Sequence, residues 1–95
     1  MLSGDTQKAF SREVIGKSIV ILQRGWVFVG DLERTGNECV IKNASNVRKW
    51  GTSNGLGELA EDGPQENTKL DKCPDVQYHR LTELAVIKCN EKNWK

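Results

Sequence analysis

The sequence predicts a mainly β domain curled into a small barrel, and three observations carry that expectation. Ser18–Leu22, Trp26–Glu33 and Glu38–Lys42 are runs rich in β-branched and aromatic residues, the side chains that suit a pleated, half-buried strand. Arg24-Gly25 and Arg34-Thr35-Gly36-Asn37 separate these runs, and Gly and Asn there supply positive φ at little cost. Gly30 interrupts the middle run, which marks a bend or bulge of the kind that curls a sheet. A chain of 95 residues has room for one core, and a hydrophobic fraction of 37% suits strands that bury one face.

At the start of the chain, Asp5 or Thr6 can cap a short helix. Phe10, Val14 and Ile15 fall near one face before Gly16 ends it. Ser11-Arg12-Glu13-Val14 reads equally well as the start of a strand. In the second strand the two-residue period sends Trp26, Phe28 and Gly30 one way and Val27, Val29 and Asp31 the other. Both faces begin apolar, so this strand is expected to be central and covered on each side. Cys39-Val40-Ile41 is a buried run, closed by Asn43-Ala44-Ser45-Asn46.

The composition then changes. Residues 48–75 form an insertion punctuated by Gly51, Gly55, Gly57, Gly63, Pro64 and Pro74. Within it, Leu56–Ala60 makes one or two helical turns stopped by Gly63-Pro64, and Gln65–Asp75 is a polar loop. Val76–Leu81 and Leu84–Cys89 close the fold as a strand pair. Residues 90–95 are a loose tail, except that Trp94 either folds back onto the barrel or anchors a neighbouring subunit.

Fourteen Lys and Arg against thirteen Asp and Glu leave a net charge of +1, so a general electrostatic grip on nucleic acid is not indicated, although local basic patches remain open. Cys39, Cys73 and Cys89 form an odd set without a CxxC pair, and Cys39 and Cys89 sit in apolar strand patterns. Buried free thiols and a reducing, cytoplasmic setting follow. No run approaches membrane-spanning length, and MLSGDTQKAF lacks the apolar stretch of a secretion signal. Open barrel edges favour homo-oligomerisation, because an unpaired edge strand invites a partner.

No enzymatic centre is expected. His79 is the single histidine and has no nucleophile or carboxylate at signature spacing, so it reads as a surface or rim residue. Glu58, Glu61 and Asp62 read as a solvated face rather than a metal site, and no cofactor motif is present. The candidate ligand site is the Trp50–Gly57 loop with its approach. Gly51, Gly55 and Gly57 leave backbone N–H groups accessible, Thr52 and Ser53 add hydroxyls, and Arg48 and Lys49 add charge. Trp50 offers a face on which a base could stack. The other reading is a plain connection with Trp50 pinned into the barrel's end. Trp26 and Trp94 are the candidate interface residues; Trp26 reads as core or subunit-interface packing, with stacking on a ligand the alternative.

Two resemblances arise at these residues. Arg24-Gly25, then Gly30-Asp31-Leu32, then Val40-Ile41-Lys42-Asn43-Ala44 is similar to the first signature of Sm-like barrels. Tyr78-His79-Arg80-Leu81 followed by Leu84-Ala85-Val86-Ile87 resembles the closing strand pair of Hfq-like RNA chaperones. Gly36 stands where that family has an aspartate, and the turn is a residue or two shorter, so the RNA pocket does not carry over and only the barrel does. The second resemblance spans Val29 to Cys89: VGDLER, ECVIKNASNVRKW, GLGELA and HRLTELAVIKC together are similar to a family of short, mostly phage-encoded proteins. Arg48-Lys49-Trp50-Gly51 also resembles the Lys-Trp-Gly turn of swapped-hairpin antitoxins, over four residues only.

The implied fold is a small Sm-like or SH3-like barrel with a short N-terminal helix and a loop–helix insertion. The implied function is a non-enzymatic, phage-type binding module. It would be an accessory or counter-defence protein that binds a host protein or a nucleotide-like ligand. An Sm-like nucleic-acid-binding protein and a structural or assembly subunit are the alternatives.

Overall fold

The computed structural model describes residues 12–94. Its elements are β1 (Arg12–Leu22), β2 (Trp26–Thr35), β3 (Glu38–Lys49), α1 (Leu56–Asp62), β4 (Lys69–Lys72), β5 (Val76–His79) and β6 (Glu83–Lys88). Three 3-10 turns, Gln23–Gly25, Arg80–Thr82 and Glu91–Asn93, complete the chain. The fold is mainly β, as the sequence predicts.

All strand pairs are antiparallel, in the order β4-β3-β2-β1-β6, with β5 also on β3. β3 is long enough to carry two partners end to end, β5 against Glu38–Ile41 and β4 against Ser45–Lys49. The sheet is open rather than closed. β5 and β6 are joined end-on through the Arg80–Thr82 turn, and no ladder links them among the described residues. Side chains fill that gap instead: Arg34 on β2 donates to both carboxylate oxygens of Glu83 at 3.0 and 3.1 Å, and the Tyr78 hydroxyl donates to Glu83 at 2.6 Å.

Two-residue alternation gives the sheet two apolar faces. Val20, Leu22, Leu32, Cys39, Ile41 and Ala44 pack inside the curl. Ile19, Val27, Val29 and Val47 point the opposite way, where Leu56, Leu59 and Ala60 of α1 cover them together with Cys89 and Trp94. β2 is therefore central and covered on both faces through its middle. Cys39 and Cys89 are buried free thiols, as their strand settings imply.

The curl originates at Gly30. Val29 pairs with Ser45 and Asp31 with Lys42, so Asn43 and Ala44 together oppose Gly30, an extra residue that bends β3. Asn43 takes φ 52°, the left-handed region that asparagine tolerates better than most residues. A Cβ on Gly30 would lie 2.6 Å from Ile41 Cγ2 and 2.7 Å from the Lys42 carbonyl oxygen, so only glycine lets the strands approach. Asn43–Asn46 was expected to end the third strand; it is the bulge through which the strand continues to Lys49.

Three other expectations are corrected. The N-terminal helix falls largely on residues outside those described, and its last part, Arg12–Ile15, is strand. Consecutive Val14 and Ile15 imitate a helix face because β1 is bulged between Val14 and Gly16, leaving Val14 exposed while Ile15 packs on the inner cluster. The Gln65–Asp75 loop contains β4, whose Lys-Leu-Asp-Lys sequence is too polar and short to show alternation but suits a charged edge strand. Residues 90–94 are anchored rather than loose. Asn93 Nδ2 donates to the Glu61 carbonyl at 2.8 Å, and the Trp94 indole N–H donates to the Ala60 carbonyl at 3.0 Å. The helix forms where expected and stops at Gly63, which has φ 80° and lies against the Asn93 carbonyl with no space for a Cβ.

Candidate ligand-binding face

Residues paired across strands share a face of the sheet. Val86, Val20, Phe28, Asn46 and Asp71 therefore form one row over β6, β1, β2, β3 and β4. Leu22 and Trp26 pair in the adjacent row of that face. Beside Asn46, Arg48 reaches Asp71 through Nε at 2.8 Å, which sets its guanidinium on the same side as Asn46 and Phe28. The row thus runs from aliphatic at β6, through the aromatic pair on β2, to polar and charged at β3 and β4.

The Trp26 and Phe28 rings are parallel within 3°, with centroids 6.0 Å apart. Val20 and Leu22 back this pair from the buried core, while Trp26 is 55% exposed. An indole held flat by its neighbour and open to water is a stacking surface for a planar group. Arg48 offers an exposed guanidinium next to it, and Asn46 offers both a donor and an acceptor.

Bulged pairing concentrates charge at the end of this face. Val47 pairs with Leu70 and Lys49 with Lys69, so Arg48 and Lys49 together oppose Lys69. Leu70 turns to the α1-covered cluster, which by alternation puts Lys69 on the Asp71 side. Lys72 is also exposed. Asp71 is the one carboxylate on β4 among these cations.

The Trp50–Gly57 loop begins where β3 ends. Trp50 is exposed, and its backbone carbonyl accepts from the Thr68 hydroxyl at 2.7 Å. Gly51 lies directly on the Asn67–Thr68 backbone. Thr52 Oγ1 donates to the Gly55 carbonyl at 2.7 Å, and the Asn54 N–H donates to Glu58 at 2.8 Å. Several polar groups expected to receive an anion are thus occupied within the loop, and the Glu58 carboxylate already sits at the positive end of the helix. Ser53 and Gly57 are exposed, and Gly55 precedes the helix. Of the predicted ligand residues, Arg48 and Lys49 join the Trp26–Phe28 face, while Trp50, Gly51, Thr52, Ser53, Gly55 and Gly57 form a braced connection beyond it.

Of the two interface candidates, Trp26 is presented to solvent. Trp94 is buried in its own chain, with Lys17 Nζ 5.9 Å from its ring centroid, which is the folded-back arrangement. Phe28 and Asn46 were not singled out from sequence. Their signal is the parity of Trp26 with Phe28 and of Asn46 with Arg48, which becomes a shared face only once the bulge at Asn43-Ala44 is known.

Other candidates carry less. His79 Nδ1 accepts from the Leu81 N–H at 3.1 Å, the role of a cap on the 3-10 turn. Glu61 is tied to Asn90 at 3.0 Å, and no cluster of metal-ligating side chains occurs among the described residues. A depression of about 210 Å³ beside Glu33, Glu38, Val40 and Gln77 holds an acidic group already paired with Arg12 and Lys42, each at 3.5 Å. Burial alone would raise Glu83, but hydrogen bonds from Arg34 and Tyr78 outweigh it and hold the carboxyl below its usual range. Burial, then the bond to Glu83, pushes the Tyr78 hydroxyl well up. Burial likewise pushes the Cys89 thiol up to about 11. Among the described residues no helix is long and apolar enough to cross a membrane.

A family model described as a domain of unknown function, DUF6948, matches residues 16–95. Comparison with curated proteins and comparison with solved structures each yielded no match.

Proposed function

The chain belongs to the DUF6948 family, and from that premise we propose that it is a non-enzymatic binding module for a nucleotide-like ligand, a planar ring carrying negative charge. One observation carries the reading: an exposed Trp26, its ring parallel to half-buried Phe28, shares a face with Arg48 and Asn46. A base stacked on an aromatic side chain gains about 1–3 kcal/mol. The guanidinium would meet the phosphate and the asparagine amide a ring edge.

The fold reading that accompanies this is a partly open Sm-like or SH3-like barrel. The order β6-β1-β2-β3-β5, with a 3-10 turn joining β5 to β6, supports it. Edges of β4, β5 and β6 that are unpaired among the described residues support homo-oligomerisation. The accessory or counter-defence role in an infected cell's cytoplasm rests on the resemblance to phage proteins. A protein partner or assembly role is the second reading, favoured by Leu81 and Leu84, 80% and 63% exposed around the turn into the free strand β6.

Tryptophan fluorescence and thermal-shift titration of the intact protein with AMP, GMP, UMP and dTMP tests the proposal. A ligand at a hundred times its Kd raises stability by about 2.7 kcal/mol. The expected result is a shift that Trp26→Ala abolishes while the unliganded Tm stays put. No shift with any nucleotide would hand the face to a protein partner.

A further inference from the structure

We infer that the occupant of this face is a single strand of nucleic acid that stacks on Trp26 and Phe28 and runs its phosphates over the bulge formed by Arg48, Lys49 and Lys69; this rests on the nucleotide-binding reading above and extends it to a polymer. The charge arrangement requires an explanation that a mononucleotide does not supply. Lys49 and Lys69 are directly paired across β3 and β4, and like charges in that relation destabilise a sheet. Arg48 is the extra residue at the same point, so three cations meet there, and among the described residues the one ion pair offsetting them is the exposed one between Arg48 and Asp71. Bulges re-aim side chains, and this one gathers positive charge at the end of the aromatic row. The arrangement is costly for the free protein and complementary to a chain of phosphates.

Geometry sets the length. From β2 to β4 is two strand spacings, roughly 10 Å, or about three rises of a stacked strand at ~3.4 Å each. One phosphate held at Arg48 is too little charge for three cations, whereas a strand of a few nucleotides brings a phosphate to each. The strand must be single, because stacking on Trp26 and Phe28 needs a free base face that a duplex keeps covered. The chain carries a net charge of only +1, so the grip is local. Three phosphates neutralised on a single strand give a slope of log K against log salt near −2.

The experiment uses the intact protein and fluorescein-labelled twelve-nucleotide oligo-dT and oligo-U, the matched duplex, and dTMP and UMP. The expected result is at least tenfold tighter binding of the oligomers than of the mononucleotides, weaker binding of the duplex, and a salt slope near −2. Lys49→Ala with Lys69→Ala flattens that slope and brings the oligomer affinity down about tenfold, a clearly larger loss than for the mononucleotides; Trp26→Ala removes both kinds of binding. Lys69→Glu is a second, single-site variant that deepens the same loss. Oligomers no tighter than mononucleotides, a duplex bound as well as single strands, or a slope untouched by the lysine variants would overturn the polymer inference and leave the nucleotide reading standing. Absence of binding by oligomers and mononucleotides alike would overturn both.

Discussion

Arg34 and Glu83 meet through two parallel hydrogen bonds, 3.0 and 3.1 Å, across the side of the sheet where no backbone ladder runs among the described residues. The side chains are 8% and 13% exposed, so the pair is buried, and Arg34 also donates to Cys39 Sγ at 3.1 Å. Taking one member away leaves the other charged and dry. Breaking such a pair typically costs 3–5 kcal/mol, whereas replacing both members with apolar residues of similar size is often neutral. Glu83→Ala is therefore expected to lower stability by about 3 kcal/mol, and Arg34→Met with Glu83→Leu to restore most of it. Urea denaturation of the three proteins measures this. A Glu83→Ala protein as stable as the parent would show that the pair does not hold β6 to β2.

The same cluster makes stability fall at both ends of the pH scale. Glu83 titrates lower folded than unfolded, so its contribution is present above the unfolded carboxyl value and is lost as pH falls through the folded one. Tyr78 titrates higher folded than unfolded, so its contribution is complete below the unfolded phenol value, near 10, and drains away as pH rises beyond it. Melting temperature against pH is expected to show an acid decline that Glu83→Gln weakens and an alkaline decline that Tyr78→Phe weakens. Glu83→Gln is expected to soften the alkaline decline as well, because Glu83 is one cause of the Tyr78 shift, and an alkaline decline unchanged in Tyr78→Phe would assign it to another group.

Gly30 is the residue on which the curl depends. A methyl group there meets Ile41 Cγ2 and the Lys42 carbonyl oxygen, and the second of these is backbone that cannot step aside. Gly30→Ala is expected to cost about 1–3 kcal/mol, the range for overpacking a tight interior. Asn43→Gly, at the positive-φ residue opposite, is expected to change stability much less, losing the contact from Asn43 Nδ2 to Asp31 at 3.2 Å but no backbone fit. Thermal melts of the two variants separate close approach from turn geometry. Equal effects would mean that the bulge itself, and not the missing side chain, fixes the bend.

How much of this was legible in the sequence follows from the range of the signals. The cores of β1, β2 and β3, the bend at Gly30, and the stop of α1 at Gly63 all read correctly, because alternation and glycine placement act within a few residues. β4 was invisible, since Lys69-Leu70-Asp71-Lys72 is strand only through its register on Ser45–Lys49. The extension of β3 was hidden for a related reason: Asn43-Ala44-Ser45-Asn46 has turn composition, and a bulge uses the same residues as a turn. The candidate site divides in the same way. Trp26, Arg48 and Lys49 stood out by type, but the face they share with Phe28 and Asn46 depends on pairing between residues some twenty positions apart, and no local pattern contains that.

Trp94 gives the last test, because it decides whether the C-terminal segment belongs to the core. Its ring completes the cluster of Ile19, Val29, Leu59 and Cys89, and its indole N–H, at 3.0 Å, joins the Asn90 N–H, at 2.9 Å, in donating to the Ala60 carbonyl that helix α1 leaves open near its end. Truncating a buried aromatic residue to alanine costs about 3–5 kcal/mol. Trp94→Ala is expected to fall in that range. Trp94→Phe keeps most of the apolar area and loses the hydrogen bond, so a cost nearer 1–2 kcal/mol is expected. Loosening the segment also uncovers Cys89, whose thiol is otherwise buried and poorly ionised, so Ellman's reagent at pH 8 reacts with it faster in Trp94→Ala than in the parent. Unchanged Cys89 reactivity together with unchanged stability would place residues 90–94 outside the cooperative fold.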